Sequence, residues 1–303
     1  MHRVIVMTSR NLQIFVTVAE LGKMTEAARS LYITQSSVSQ AIASIEQEYG
    51  VVLFERLSRG LFLTDAGKEL LSYARSYFSV KSDMEEFLLG SGERHRIRVG
   101  ATITVGTCVI SPLLLRLKSQ NAELNAQVLV ENTRALEGKL LKNEIDVALV
   151  EGKITNPELY TEHVIADKLV LACPRGHRFC GRDSVSAQEL GDEPFILREP
   201  GSGTRTQFES EMAGKHLPIN VSWTCCNSEA IKNAVADGHG VSVVSERLVR
   251  SEAASGRLCV CTISDLRLDR YFDVVYHKDK YISKPIQSFI DACRDFTRYE
   301  QQT

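Results

Sequence analysis

From residue 96 onward the chain alternates two periodicities, and this restricts the fold more than any other feature of the sequence. Short apolar runs at 96–101, 126–131 and 145–150 read as strands, with helical spacing at 105–118 and 135–141 between them. A second series follows, with strands at 169–173, 194–198, 221–225 and 241–244 and helices after Gly203 and Asn227. Residues 272–276 read as one more strand and 284–297 as a closing helix. Strands separated by helices predict a parallel sheet covered on both faces. Two such series and one returning strand predict two α/β lobes, joined by two connections around a cleft.

The first ninety residues follow another rule. Leu12, Phe15, Val16 and Ala19 recur at helical spacing, and Gly22 ends that helix. Thr25 is placed to cap a second helix over 26–31, which holds the small pair Ala27 and Ala28. Thr34 is placed to cap a third, with Val38, Ile42 and Ile45 on one side and Gln35, Ser36, Ser39, Gln40 and Ser44 on the other. Two short helices crossing at small residues predict a helix-turn-helix. The polar face of its second helix can form the hydrogen bonds that reading base edges in a major groove requires. A helix face turned only to water would carry the same residues. Apolar runs at 51–54 and 61–63 flank Ser58-Arg59-Gly60 and predict a hairpin, with Arg56 and Arg59 near its tip. Such a wing suits a minor groove, which arginine can enter. Residues 1–64 hold six bases and five acids, a net of +1, so one copy binds DNA weakly and two are needed.

The means of pairing comes next. Thr64 caps a helix in which Ala66, Leu70, Tyr73, Tyr77, Val80, Met84 and Phe87 alternate spacings of four and three. That heptad seam suits a homodimer, and an amphipathic helix packed on its own protein is the other reading. Gly90-Ser91-Gly92 then breaks the helix and forms a joint.

Composition narrows the class. The chain of 303 residues is 44% hydrophobic and 24% charged, so it can bury more than one core. It has no apolar run long enough to span a membrane. Residues 1–7 do not read as a secretory signal, which places the protein in the cytoplasm. A net charge of −2 gives no hint of nucleic acid, so the DNA reading rests on pattern alone. The eight cysteines are expected to be mostly thiols in a reducing compartment, with Cys259 and Cys261 buried and free. Cys173, His177 and Cys180 lie close together but lack a fourth ligand, so no metal is expected.

These residues closely resemble the LysR-type transcriptional regulators. The resemblance is carried by Leu12-Gln13-Ile14-Phe15, Thr25-Glu26-Ala27-Ala28 and the run from Gln35 to Ile42. Leu53-Phe54-Glu55-Arg56 and Leu63-Thr64-Asp65-Ala66-Gly67 continue it. It implies DNA contacts through Gln35, Ser36, Ser37, Ser39 and Gln40, and through Arg56 and Arg59 on the wing. Gln40 departs from the arginine often found there. Family chains begin shortly before the first helix, which makes residues 1–6 an extension or Met7 the start. The implied plan is a winged helix-turn-helix over 1–64 and a dimerising linker helix with its hinge over 65–92. A two-lobed domain like the periplasmic solute-binding proteins follows, with lobe I at 93–167 and 270–303 and lobe II at 168–269. The resemblance also implies a homotetramer through the C-terminal lobes.

Ligands of such sheets bind at the carboxyl ends of strands. Four segments arrive there: Thr102 with Thr104, Thr133, the run from Arg198 to Thr206, and Asn227 with Ser228. In the third, Gly203 permits close backbone approach, Ser202 and Thr204 can donate, and Arg205 can grip an anion in two places. Arg205 could equally pair with Glu199 or Glu209. The expected ligand is a small anionic effector, with no other cofactor. The sequence resembles the subgroup that includes regulators of carbon fixation and sulfur assimilation. No nucleophile elbow, P-loop or dinucleotide fingerprint occurs, so an enzyme is not expected. A cysteine-based redox sensor on the same scaffold is the alternative, although the loop from Gly201 to Thr206 holds no cysteine.

Overall fold

The structure, a computed structural model, describes residues 7–57, 60–89 and 96–300, in two compact units divided after Ser91. The Gly90-Ser91-Gly92 joint, Arg59 and residues 1–6 lie outside the described residues, as do the side chains of Arg56 and Phe87.

In the first unit, α1 (Ser9–Leu21), α2 (Met24–Ser30) and α3 (Gln35–Tyr49) precede a hairpin of β1 (Phe54–Leu57) and β2 (Gly60–Leu63), then α4 (Asp65–Leu89). Local chemistry sets most of these ends. The Thr8 and Thr34 side chains accept from the amides of Asn11 and Ser37, and Gly22 and Gly50 close α1 and α3 in the left-handed region. Thr25 does not cap α2: the helix starts two residues earlier, with Lys23 as its N-cap and no side-chain bond there. Phe15, Val38, Ile45, Leu53 and Ala74 form the core of this unit. Glu46 Oε1 accepts from the amides of Leu53 and Phe54, 2.7 and 3.3 Å away, and so ties the hairpin to α3.

The second unit opens with β3 (Arg96–Ala101), α5 (Ile103–Cys108), α6 (Ile110–Gln120), β4 (Asn125–Val130), α7 (Thr133–Leu141) and β5 (Val147–Glu151). The long β6 (Leu159–Pro174) leads to β7 (Ser184–Val185), β8 (Pro194–Arg198), α8 (Gly203–Gly214), β9 (Asn220–Cys225) and α9 (Ser228–Ala236). β10 (Ser242–Ser245), α10 (Glu246–Ala254), β11 (Leu258–Ile263), β12 (Asp269–His277), α11 (Lys284–Arg294) and α12 (Phe296–Glu300) complete it. The helix expected over 105–118 is two helices. Pro112 has no N–H to offer the Cys108 carbonyl and its ring crowds that group, so the chain breaks at Val109.

Among the described residues the main sheet runs β4-β3-β5-β12-β6-β11-β7, with β10 also on β6. Its parallel pairs are β3 with β4 and β5, and β11 with β7. The pairings of β12 with β5 and β6, and of β6 with β10 and β11, are antiparallel. The sheet is therefore mixed, and the expectation of a purely parallel one is corrected. β8 and β9 form a separate parallel pair. The chain passes twice between two apolar cores. One core holds Ile165, Phe272 and Phe289, and the other holds Leu169, Phe195 and Leu268, so β6 contributes to both. The register of the β6–β12 ribbon shifts between Phe272 and Asp273.

Cys180 and Cys259 form a disulfide, with Cα atoms 5.2 Å apart, which corrects the expectation of a free Cys259. His177 pairs with Glu193, and no metal-binding group occurs among the described residues. No described helix is long and apolar enough to cross a membrane.

Candidate functional site

In the first unit Gln35, Ser36, Ser37 and Gln40 are exposed on α3, and Ser39 is half-buried. Thr34 Oγ1 lies 2.8 Å from the hydroxyls of both Ser36 and Ser37, so three hydroxyls meet at the start of this helix. Sequence reasoning missed Tyr32. It sits in the turn before α3 at φ 56° and is 96% exposed, an unusual conformation for a bulky residue.

In the second unit the residues expected at the cleft are mostly buried, but they do not all face one space. Thr102 Oγ1 accepts from the Glu151 amide at 3.2 Å, and Thr133 Oγ1 donates to the Glu151 carbonyl at 2.6 Å. Gly203 packs so closely on Glu151 that a Cβ there would lie 2.2 Å from its carbonyl oxygen. Three expected residues thus converge on Glu151, which sequence reasoning overlooked. The signal was present: an acid directly after the apolar run Val147-Ala148-Leu149-Val150.

A small cavity of about 10 Å³, room for roughly one water, is bounded by Thr104, Arg198, Thr204, Ser228, Lys232 and Ser245. Ile231, Val244 and Leu248 complete its wall. Arg205 is not among these residues. Its Nε donates to Glu209 at 2.7 Å and its Nη1 to the Arg198 carbonyl at 3.0 Å, which is the pairing with Glu209 that the sequence left open beside the grip on an anion. Asn227 is exposed and caps α9, accepting from the amides of Glu229 and Ala230. The cations at the cavity are Arg198 and Lys232. Arg198 holds Glu199 through two hydrogen bonds of 2.8 and 2.9 Å. Lys232 reaches Glu229 at 2.6 Å and Glu252 at 2.7 Å. Burial opposes the Lys232 charge, but these two carboxylates outweigh it and hold the ammonium above its ordinary pKa.

Three of the expected hydroxyl and hydroxymethyl groups here are unsatisfied. Thr104 Oγ1, Ser202 Oγ and Ser228 Oγ are buried without a hydrogen-bond partner in the protein. Most buried polar atoms have a partner in protein or ordered water, so these three hydroxyls are donors left over by the fold. Past Gly203 an open groove of about 610 Å³ is bordered by Lys153, His163, Gln207, Arg270 and Tyr271. Asp273 at its edge meets His163 Nδ1 at 2.5 Å, and burial, against that contact, raises its carboxyl above the ordinary range.

Comparisons with known proteins agree over most of the chain. The family model described as bacterial regulatory helix-turn-helix protein, lysR family, matches residues 9–68, and that described as LysR substrate binding domain matches 90–298. The transcriptional activator CmpR of Synechocystis sp. is 29% identical over 94% of each chain. The transcriptional regulator YeiE of Escherichia coli K12 is 30% identical over 94% of this chain and 97% of its own. A solved structure of the Synechocystis CcmR regulatory domain, in complex with 2-PG, superposes with a TM-score of 0.63 at 27% identity. It covers 67% of this chain and 97% of that one.

Proposed function

The chain belongs to the LysR family of bacterial transcriptional regulators, and from that premise we propose that it couples a small anionic effector, bound between two C-terminal lobes, to promoter DNA in the cytoplasm. The observation that carries the effector half is the pair of partnerless hydroxyls of Thr104 and Ser228, which border the same cavity as Arg198 and Lys232; the buried Ser202 hydroxyl, at the N-cap of α8, is partnerless too. Oxyanions take such donors readily, and buried cations already held in place need no reorganisation to receive one. Thr102, Thr133, Gly203 and Thr204 shape the site through Glu151, and Asn227 fixes the helix that carries Ser228. Arg198 and Lys232, each held by carboxylates, are the cations that border the cavity and set its positive side. On the DNA side, α3 reads the major groove through Gln35, Ser36, Ser37, Ser39 and Gln40, with Arg56 and Arg59 on the wing. A dimer through α4 supplies two half-sites, and a tetramer through the C-terminal units joins two dimers.

Two measurements test the two halves. Gln35→Ala should weaken operator binding in a gel shift by ~1–3 kcal/mol and relax one base position. Wild-type affinity and specificity in that variant would remove Gln35 from the reading surface. Ser228→Ala removes a hydroxyl that bonds to nothing in the fold, so thermal stability should hold while effector-dependent DNA binding weakens. An unchanged response would move the effector elsewhere.

A redox sensor on the same scaffold is the second reading, favoured by the Cys180–Cys259 disulfide, which spans 79 residues. It takes precedence if the response survives Ser228→Ala but is lost in Cys180→Ser.

A further inference from the structure

The charges around the cleft are already matched. Arg198 has Glu199, Lys232 has Glu229 and Glu252, and Arg270 has Asp167 at 2.7 Å. Beyond these pairs stands one more carboxylate, Glu151, which is 1% exposed. Its contacts are all long. Oε1 lies 3.4 Å from Thr204 Oγ1 and 3.9 Å from Arg198 Nη1. Oε2 lies 3.7 Å from Arg270 Nη2, outside hydrogen-bond reach, and neither atom has a hydrogen-bond partner in the protein. An acceptor and a donor are thus buried side by side, both unsatisfied, each at a cost in desolvation. Thr204 links this pair to the cavity, because its hydroxyl accepts from Arg270 Nη1 at 2.9 Å and it also borders the cavity.

A fully deprotonated anion fits poorly here, since it would face the Glu151 carboxylate with no spare cation to offset the repulsion. An oxyanion that keeps one O–H fits well. The hydroxyl donates to Glu151 Oε2 and its oxygen accepts from Arg270 Nη2. Thr204, bonded to both Glu151 and Arg270, borders the cavity that the Thr104 and Ser228 hydroxyls also line, so further oxygens would be offered those two donors. Resting on the anionic-effector reading above, we propose that the effector is an oxyanion carrying an O–H group, and that Glu151 is the acceptor that selects for it.

Phosphate and sulfate form a matched pair of probes. Both are tetrahedral and of similar size, but near neutral pH only phosphate keeps a proton to donate. Titration calorimetry on the full-length protein at pH 6.5 should find phosphate bound more tightly than sulfate by about tenfold or more, the scale of a hydrogen bond to a charged group. Glu151→Gln replaces the acceptor with an amide that can donate, and should abolish that preference, chiefly by tightening sulfate. Glu151→Asp keeps the charge and should retain the preference at lower affinity for both. If wild type binds the two alike, or if Glu151→Gln keeps the wild-type ratio, the selection by Glu151 is overturned. The anionic-effector reading then still stands, provided Ser228→Ala weakens both anions. If wild type binds neither anion, both readings fall together.

Discussion

Replacing Tyr77 with Asp is expected to turn the protein into monomers in the first unit's pairing and to lower operator affinity by about two orders of magnitude. The reason lies in how α4 divides its apolar residues. Leu71 and Ala74 are buried in the core of their own unit. Tyr73, Tyr77, Val80 and Met84 lie outside it, exposed at 38–59%, at spacings of four, three and four. A helix that has already buried one apolar side and shows a second in heptad order is expected to take a partner helix there. A carboxylate placed in that seam would have to give up water without a cation in return, which costs several kcal/mol. One copy is nearly uncharged over residues 1–64, so the loss of paired half-sites falls directly on DNA affinity. Light scattering at low concentration and a gel shift measure the two effects. An unchanged mass with unchanged DNA binding would show that α4 does not form the dimer.

Gly203→Ala is expected to destabilise the second unit by about 2–3 kcal/mol, a fall in its unfolding temperature of roughly 5–10 °C. It should also remove the effector response. The added methyl would sit 2.2 Å from the Glu151 carbonyl oxygen and 2.8 Å from the Gly152 Cα. Both are backbone atoms at the end of a buried strand and cannot step aside, so α8 must move away, taking Ser202 and Thr204 with it. Gly138→Ala is the control. It lies within α7 with nothing within 4 Å of the new methyl, and should stabilise by roughly 0.5–1 kcal/mol through helix propensity alone. Calorimetry of both variants decides the matter. Equal unfolding temperatures would mean that the approach of Gly203 to Glu151 is not tight in solution.

What could be read from the chain was whatever its neighbours in sequence decide. The caps at Thr34 and Gly22 and the inward side of α3 depend on residues three or four positions away, and they were legible. β6 was found only over its last third. From Leu159 to Lys168 it carries Tyr160, Glu162, His163 and Lys168, so no continuous apolar run marks it. Its antiparallel match to β12 joins residues about a hundred positions apart, which no local pattern records. The two arginines beside the loop at Gly201 show the same limit. Arg205 lies four residues before Glu209 in one helix, and that pairing could have been preferred at once. Arg198 is the last residue of a strand buried on both faces, and only the assembled fold turns it towards the cavity. The Cys180–Cys259 bridge and the convergence on Glu151 are likewise products of the fold.

The ribbon of β6 and β12 sets how the second unit can move. β6 contributes to both apolar cores, and β12 starts directly after Leu268 of one and carries Phe272 and Val274 of the other, so these are the two places where the chain crosses between them. A hydrogen-bonded pair of strands resists stretching and sliding but twists with little cost, most easily where its register slips, at Phe272 and Asp273. Opening the cleft for a ligand larger than one water is therefore expected to take the form of a turn about the ribbon's axis, not a widening. On that expectation the ribbon acts as a torsion bar, and an effector would change the angle between the two cores.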